Sequence, residues 1–430
     1  MTSDSADGVA GNREVHDALL RAVRDRYLTS GDFNGLYLDT EVEPALAAIA
    51  ADLVREGLLQ VVTSEDYINP HIRPWPSRRS IEEQVRSLDA LSQATYGACL
   101  YPTTRGMRGV RLPRRFTGRP YEQALARGRG TLELAYFDFA VLEGYRNDPR
   151  YSFAFDDFGA DMGVSDAVYL DEEEPERDKV SLSQIGFAYD LSGYDPEDPD
   201  SPIVRRVAAF YGDLAELSDT HQQRWKTHEV ADAGLEPHPV WWGNQMGHWS
   251  DGTGPFHRLV LELENINALW SHAFGEPLFK TTRRPRELGW LLRPSQRDWD
   301  EFVHQLDKLL SGNIAYQALD AADAPKQNPA GDNVGSLGRL QELMLRTKVP
   351  PDRARAALKP LREIRSERQR PAHTISTNIS DRTYIHRQVT VLERVNLTLL
   401  AIRNWLSSHP NNRGMTLPHS DEDLGTWYRT

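Results

Sequence analysis

The 430-residue chain carries 63 acidic and 50 basic side chains, a formal net charge of −13, 39% hydrophobic residues and a single cysteine. That composition fits a soluble globular protein of about two to three domains. No apolar run reaches the roughly 18 residues a membrane-spanning helix needs, and one cysteine excludes an internal disulfide or a thiolate cluster and fits a reducing, cytoplasmic setting.

The first residues, MTSDSADGVAGNREVH, lack a basic start and an apolar core, so they read as a short disordered tail rather than a secretory signal. A helix follows in REVHDALLRAVRDRYL, with Val15, Leu19, Leu20, Val23 and Tyr27 at helical spacing. After the turn TSGDFNG comes a second helix, VEPALAAIAADLVREG, closed by Gly57. LLQVVTSEDYI then reads as a strand, a polar turn and a second strand. Helices followed by a small hairpin resemble a winged helix-turn-helix. The candidate recognition helix offers only Arg55 for reading bases, beside Asp52 and Glu56, which favours protein contacts over sequence-specific DNA binding. Cys99, in the apolar string YGACLYP, reads as a buried structural thiol.

Residues 103–130 hold eight arginines and one glutamate among glycines and prolines, the pattern of a linker or an arm. Arg114 and Arg115 there suit phosphate contact. The alternative is that the segment pairs with the acidic middle of the same chain.

That middle, residues 131–280, holds 29 acidic and 10 basic side chains, so nucleic acid is not expected to wrap it. The run LDEEEPERD reads as a solvated loop. TLELAYFDFAVLEGY, YSFAFDDFG, VSLSQIGFAYD and VRRVAAFYGDL have the aromatic and β-branched content of strands. A helix with Asp219 as N-cap and another ending at Gly275 follow. His238, His248 and His257 flank a Trp- and Gly-rich loop whose spacing matches no compact zinc motif, so an aromatic loop packed on the core is expected. Asp156, Asp157, Asp161 and Asp166 lack the ordered spacing of a calcium loop, and no metal is expected there. A nucleophile elbow and a phosphate-binding P-loop are both absent from the sequence, and no cofactor is expected.

The last third is helical. SQRDWDEFVHQLDKLLSG places Trp299, Phe302, Val303, Leu306, Leu309 and Leu310 on one face, starting at Ser295 and Asp298 and stopping at Gly312. Two further helices cover VGSLGRLQELMLRTK and DRARAALKPLREIRSERQ. In the final one Ile385, Val389, Leu392, Val395, Leu399, Ile402 and Leu406 recur every three or four residues, the stripe of a bundle helix.

Between these last two helices lies REIRSERQRPAHTIS, with Arg362, Arg365, Arg368 and Arg370 ahead of Pro371 and His373. On an uninterrupted helix, Arg368 and His373 point roughly 140° apart. Pro371 disfavours helix before it, so the helix is expected to end near Arg370 and the chain to turn His373 back toward the arginine. A histidine can move the proton of an RNA 2′-hydroxyl, and an arginine can stabilise the charge that develops on the phosphate, so neither a metal nor a protein nucleophile is required. The alternative is a helix C-terminus where cations favour the macrodipole.

The pattern R-Q-R-P-A-H, late in a helical bundle and followed by a long amphipathic helix, resembles the signature of HEPN-domain proteins over roughly residues 295–410. Gln369 supplies the polar residue that usually follows the arginine, while the proline departs from many members. The resemblance implies a bundle of about four or five helices that dimerises, and a metal-independent endoribonuclease of toxin–antitoxin, abortive-infection or phage-defence systems. It implies Arg368 and His373 as the catalytic pair, with a composite site across a homodimer.

The expected fold is thus α+β: a winged-helix-like domain (1–100), an arginine-rich linker or arm (101–130), a β-rich acidic domain (131–280) and a HEPN-like helical bundle (281–430). The expected partner is RNA, through Arg365, Arg370, Arg114 and Arg115, with a protein partner such as an antitoxin and no membrane. The alternative is a non-catalytic winged-helix regulator that binds DNA or protein.

Overall fold

The computed structural model describes residues 4–165, 181–190, 204–232, 234–248, 252–369, 377–422, 424 and 426–427. It is an α+β protein that divides into two compact units. The first comprises residues 1–136, 172–182 and 208–230; the second comprises the rest. Among the described residues, no helix is long and apolar enough to cross a membrane.

The first unit opens with α1 (Asp4–Thr29), so helix occupies most of the stretch expected as a tail. Leu19, Leu20 and Val23 of α1 are buried, whereas Val15 is exposed. Then come β1 (Leu36–Leu38), α2 (Pro44–Arg55), β2 (Leu59–Thr63), α3 (Ile81–Asp89) and β3 (Ala98–Pro102). Gly57, at φ +69°, ends α2 as its position suggests. The sheet is antiparallel in the order β1-β3-β2, with Cys99 opposite Tyr37 on one side and Val62 on the other.

This corrects the expected hairpin. The partner of β2 is β3, beyond α3, and not the residues after the polar turn. The backbone N–H of Thr63 donates to Asp66 Oδ2 at 2.8 Å, and the Arg79 guanidinium holds the same oxygen at 2.9 Å. The chain therefore leaves the sheet at Thr63. It enters α3 through a capping box in which Ser80 and Glu83 each accept the other's backbone N–H. Cys99 is buried as expected, and burial pushes its thiol up to about 12.

The arginine-rich segment is folded rather than a free arm. Phe116 and Tyr121 are buried, and α4 (Pro120–Ala126) lies within it. Arg119 donates to the carbonyls of Ala215 and Leu217 and pairs with Glu122.

Within the second unit, β4 (Tyr151–Phe155), β5 (Gly159–Val164), residues 183–190 of β6 (Ser181–Asp190) and residues 204–207 of β7 (Val204–Phe210) stand side by side in chain order. The expected strand in TLELAYFDFAVLEGY is confined to Leu134–Asp138. There the Asp138 carboxylate accepts the Ala140 N–H and turns the chain into a short 3-10 helix.

The longer helices of this unit are α5 (Pro255–Phe274), α6 (Gln296–Leu309), α7 (Ser336–Arg346), α8 (Pro351–Gln369) and α9 (Thr383–Ser407). Helix α9 packs along α5 and against α8, and α8 also contacts α6 and α7. The bundle thus includes α5, which the sequence places before residue 281. A buried ion pair, Arg403 Nε to Glu262 at 3.0 Å, joins α9 to α5. Helix α5 starts on a tertiary cap: buried Asp157 accepts the His257 N–H at 2.9 Å and holds Arg284 at 2.8 Å. Gly275, at φ +90°, ends it.

Candidate nucleic-acid interface

The HEPN-like signature falls at the end of α8. Arg370 and His373 lie outside the described residues, so only the arginine side of the expected pair is built here. An acid inside an apolar stripe fixes it. Asp307 sits on α6 among Phe302, Val303, Leu306 and Leu309 and is 0% exposed. A carboxylate so placed needs partners, because removing charge from water is costly. It has three. Arg368 Nη1 donates to Asp307 Oδ2 at 2.6 Å, Arg365 Nε lies 4.0 Å from Oδ1, and the Ser311 hydroxyl donates to Oδ1.

Arg365 and Arg368 are three residues apart, so they share a face of α8 and meet the same carboxylate. Their side chains remain 34% and 38% exposed. Two guanidinium groups over one carboxylate leave one positive charge uncompensated, with donors free for an anion's oxygens.

Arg368 lines an open polar groove of about 1330 Å³. His304, on α6 one turn before Asp307, lines the same groove, as do Arg297 and Arg146. His304 is half-buried and has no hydrogen bond among the described residues. The acidic residues of the groove are engaged in part: Glu143 pairs with Arg293, Glu301 accepts from Gln305 at 2.7 Å, and Asp300 accepts from Gln296 at 2.6 Å. Burial raises the Asp300 carboxyl above the ordinary range.

His304 escapes a reading of the motif alone. Its signal is the spacing from Asp307: three residues on a helix place both on one side, so the partner of Arg368 brings a histidine with it.

The other candidates separate. Arg114 and Arg115 belong to the first unit. Arg114 is exposed, whereas Arg115 donates to the Leu28 carbonyl and lies 4.6 Å over the Phe116 ring. Arg55, the one base-reading cation of α2, makes an exposed ion pair with Asp52 at 2.7 Å. His238 stacks on Phe158 at 3.8 Å and accepts the Val240 N–H, but the aromatic stretch after it is a short helix, Pro239–Gln245, rather than a loop, and His248 is exposed. Among the described residues, no three or more His, Cys, Asp or Glu side chains gather as metal ligands. Of the acidic loop, Asp157 is consumed by Arg284 and the start of α5, and Asp166 lies outside the described residues.

Compared with known protein families, curated proteins and solved structures, the chain matches none.

Proposed function

We propose that the chain binds RNA and cleaves it without a metal, through Arg368 and a histidine acting as general acid–base. The observation that carries this reading is Arg368 itself: it is oriented by a fully buried carboxylate, yet exposed to a groove that also holds His304. The reaction would be a transesterification. The 2′-oxygen loses its proton to a histidine and attacks the adjacent phosphorus, and the bond to the 5′-oxygen breaks as that oxygen takes up a proton. Arg368 faces the non-bridging oxygens, where negative charge accumulates. The products carry a 2′,3′-cyclic phosphate and a 5′-hydroxyl.

His373 is the histidine that the family resemblance assigns, five residues from Arg368 in sequence. That resemblance, rather than the groove, supports a cytoplasmic role in phage defence and a homodimer with a composite site. The rival reading as a DNA-binding regulator is weakened by the engagement of Arg55 with Asp52 and by the missing hairpin.

The test is incubation of the full chain with single-stranded RNA in EDTA. Cleavage that leaves 2′,3′-cyclic ends and is abolished by His373→Ala, with the melting transition intact, supports the proposal. Cleavage that persists in His373→Ala, or duplex-DNA binding without RNA turnover, refutes it.

A further inference from the structure

A second cavity in the same unit, of about 1080 Å³, has a different construction. Its walls come from β7, residues 291–294, α8 and α9. Five arginines and three carboxylates line it. Each carboxylate is taken: Asp138 by Arg206 at 2.9 Å, Glu367 by Arg387 and Glu363 by Arg394. Arg205 and Arg382 are left without an acid among the described residues, and His386 stands beside Arg382 on the first turn of α9. A chain of net charge −13 therefore keeps a pocket with an excess of positive charge.

Arg205 is the unusual member. It is 8% exposed, and its guanidinium carbon lies over the Trp290 ring, 3.7 Å from the ring centre. Its Nε and Nη2 are buried without a hydrogen-bond partner among the described residues. Burial lowers its pKa; the nearby Tyr189 opposes that shift, although the Tyr189 hydroxyl does not reach hydrogen-bond geometry. A buried guanidinium is normally retained with a paired anion. Apolar side chains, among them Phe139, Leu291, Leu292, Ile364, Ile385 and Val391, supply about half of the lining. An apolar wall facing convergent charged groups suits a small molecule with a charged end.

We infer that this cavity binds a small phosphorylated ligand with an apolar or planar body, its phosphate met by Arg382, His386 and Arg205 and its body by the apolar wall. A dianionic phosphate matches the uncompensated charge of Arg205 and Arg382, which a single carboxylate does not. The site is separate from the Arg368 groove and does not depend on RNA cleavage.

The experiment uses ATP, inorganic pyrophosphate and adenosine as probes on the full chain in EDTA, read by calorimetry and by the shift in melting temperature. ATP is expected to bind saturably and to raise the melting temperature, with pyrophosphate weaker and adenosine undetectable. Arg205→Met and Arg382→Ala are each expected to weaken ATP binding at least tenfold, and Arg368→Ala to leave it unchanged. Because Arg382 is exposed and makes no ion pair among the described residues, Arg382→Ala decides the matter if Arg205→Met fails to fold. Absence of ATP binding, adenosine binding as tightly as ATP, or full affinity in Arg382→Ala overturns the inference.

Discussion

Arg73 in the first unit and Arg205 in the second are both buried guanidinium groups with no acid beside them among the described residues, yet the protein uses them in opposite ways. Arg73 is spent on the fold. Its Nη2 donates to the carbonyls of Gly128 at 2.6 Å and Arg129 at 3.1 Å, and its Nη1 to Pro102 at 3.4 Å. It also lies over the Tyr27 and Tyr101 rings. It ties the arginine-rich segment to the start of the chain, a job that needs several donors in a fixed fork. Among the described residues, Arg205 has a ring beside it and no acceptor at Nε or Nη2, whereas Arg73 lacks one only at Nε. Arg365 and Arg368 are intermediate: one carboxylate orients them, Arg365 Nη2 also donates to the Ser311 carbonyl at 3.4 Å, and both side chains stay about one-third exposed. The lesson is that the number of arginines in a segment says little. What matters is how many of their donors the fold consumes.

Substitutions can break or sharpen this contrast. The largest effect is expected at Arg73. Arg73→Met orphans three carbonyls, so urea unfolding should show a loss of about 3 kcal/mol. Next is Asp307→Asn, which removes the buried anchor of Arg365 and Arg368. Both arginines can turn to water, so the loss should be about 2 kcal/mol. Arg205→Met should change stability by no more than about 1 kcal/mol and in the stabilising direction, because it removes an unpaired buried cation and orphans no acceptor. A loss as large as that of Arg73→Met would show that Arg205 is structural.

A similarly small effect is expected at Asp213, whose carboxyl is pushed up to about 6 by burial and by Glu216. Its folded pKa lies above the unfolded value near 4. The charged form therefore opposes folding, and stability falls as pH rises through the interval from about 4 to about 6. Asp213→Asn should stabilise by about 1 kcal/mol at pH 7, a figure discounted for partial exposure, and by nothing at pH 4.

The helices were legible because their signals are local. Ser295 and Asp298 do start α6, Gly275 does end α5, and the stripe from Val389 to Leu406 is buried along α9. Strand pairing was not, because β2 and β3 are separated by some 35 residues and a helix, and no local pattern encodes such a pairing. Arg365 and Arg368 were visible as a cluster, but their use depends on Asp307 some sixty residues earlier. Arg205 sits in the strand-like run VRRVAAFYGDL, where alternation does not reveal which cation the core retains.

The most direct measurement is single-turnover cleavage of single-stranded RNA in EDTA by the wild-type chain and Arg368→Ala, with circular dichroism melts alongside. The account predicts cleavage by the wild type and a loss of at least about 100-fold in Arg368→Ala, with a cooperative melt retained. Equal rates in the two proteins, or no cleavage by the wild type, would contradict it.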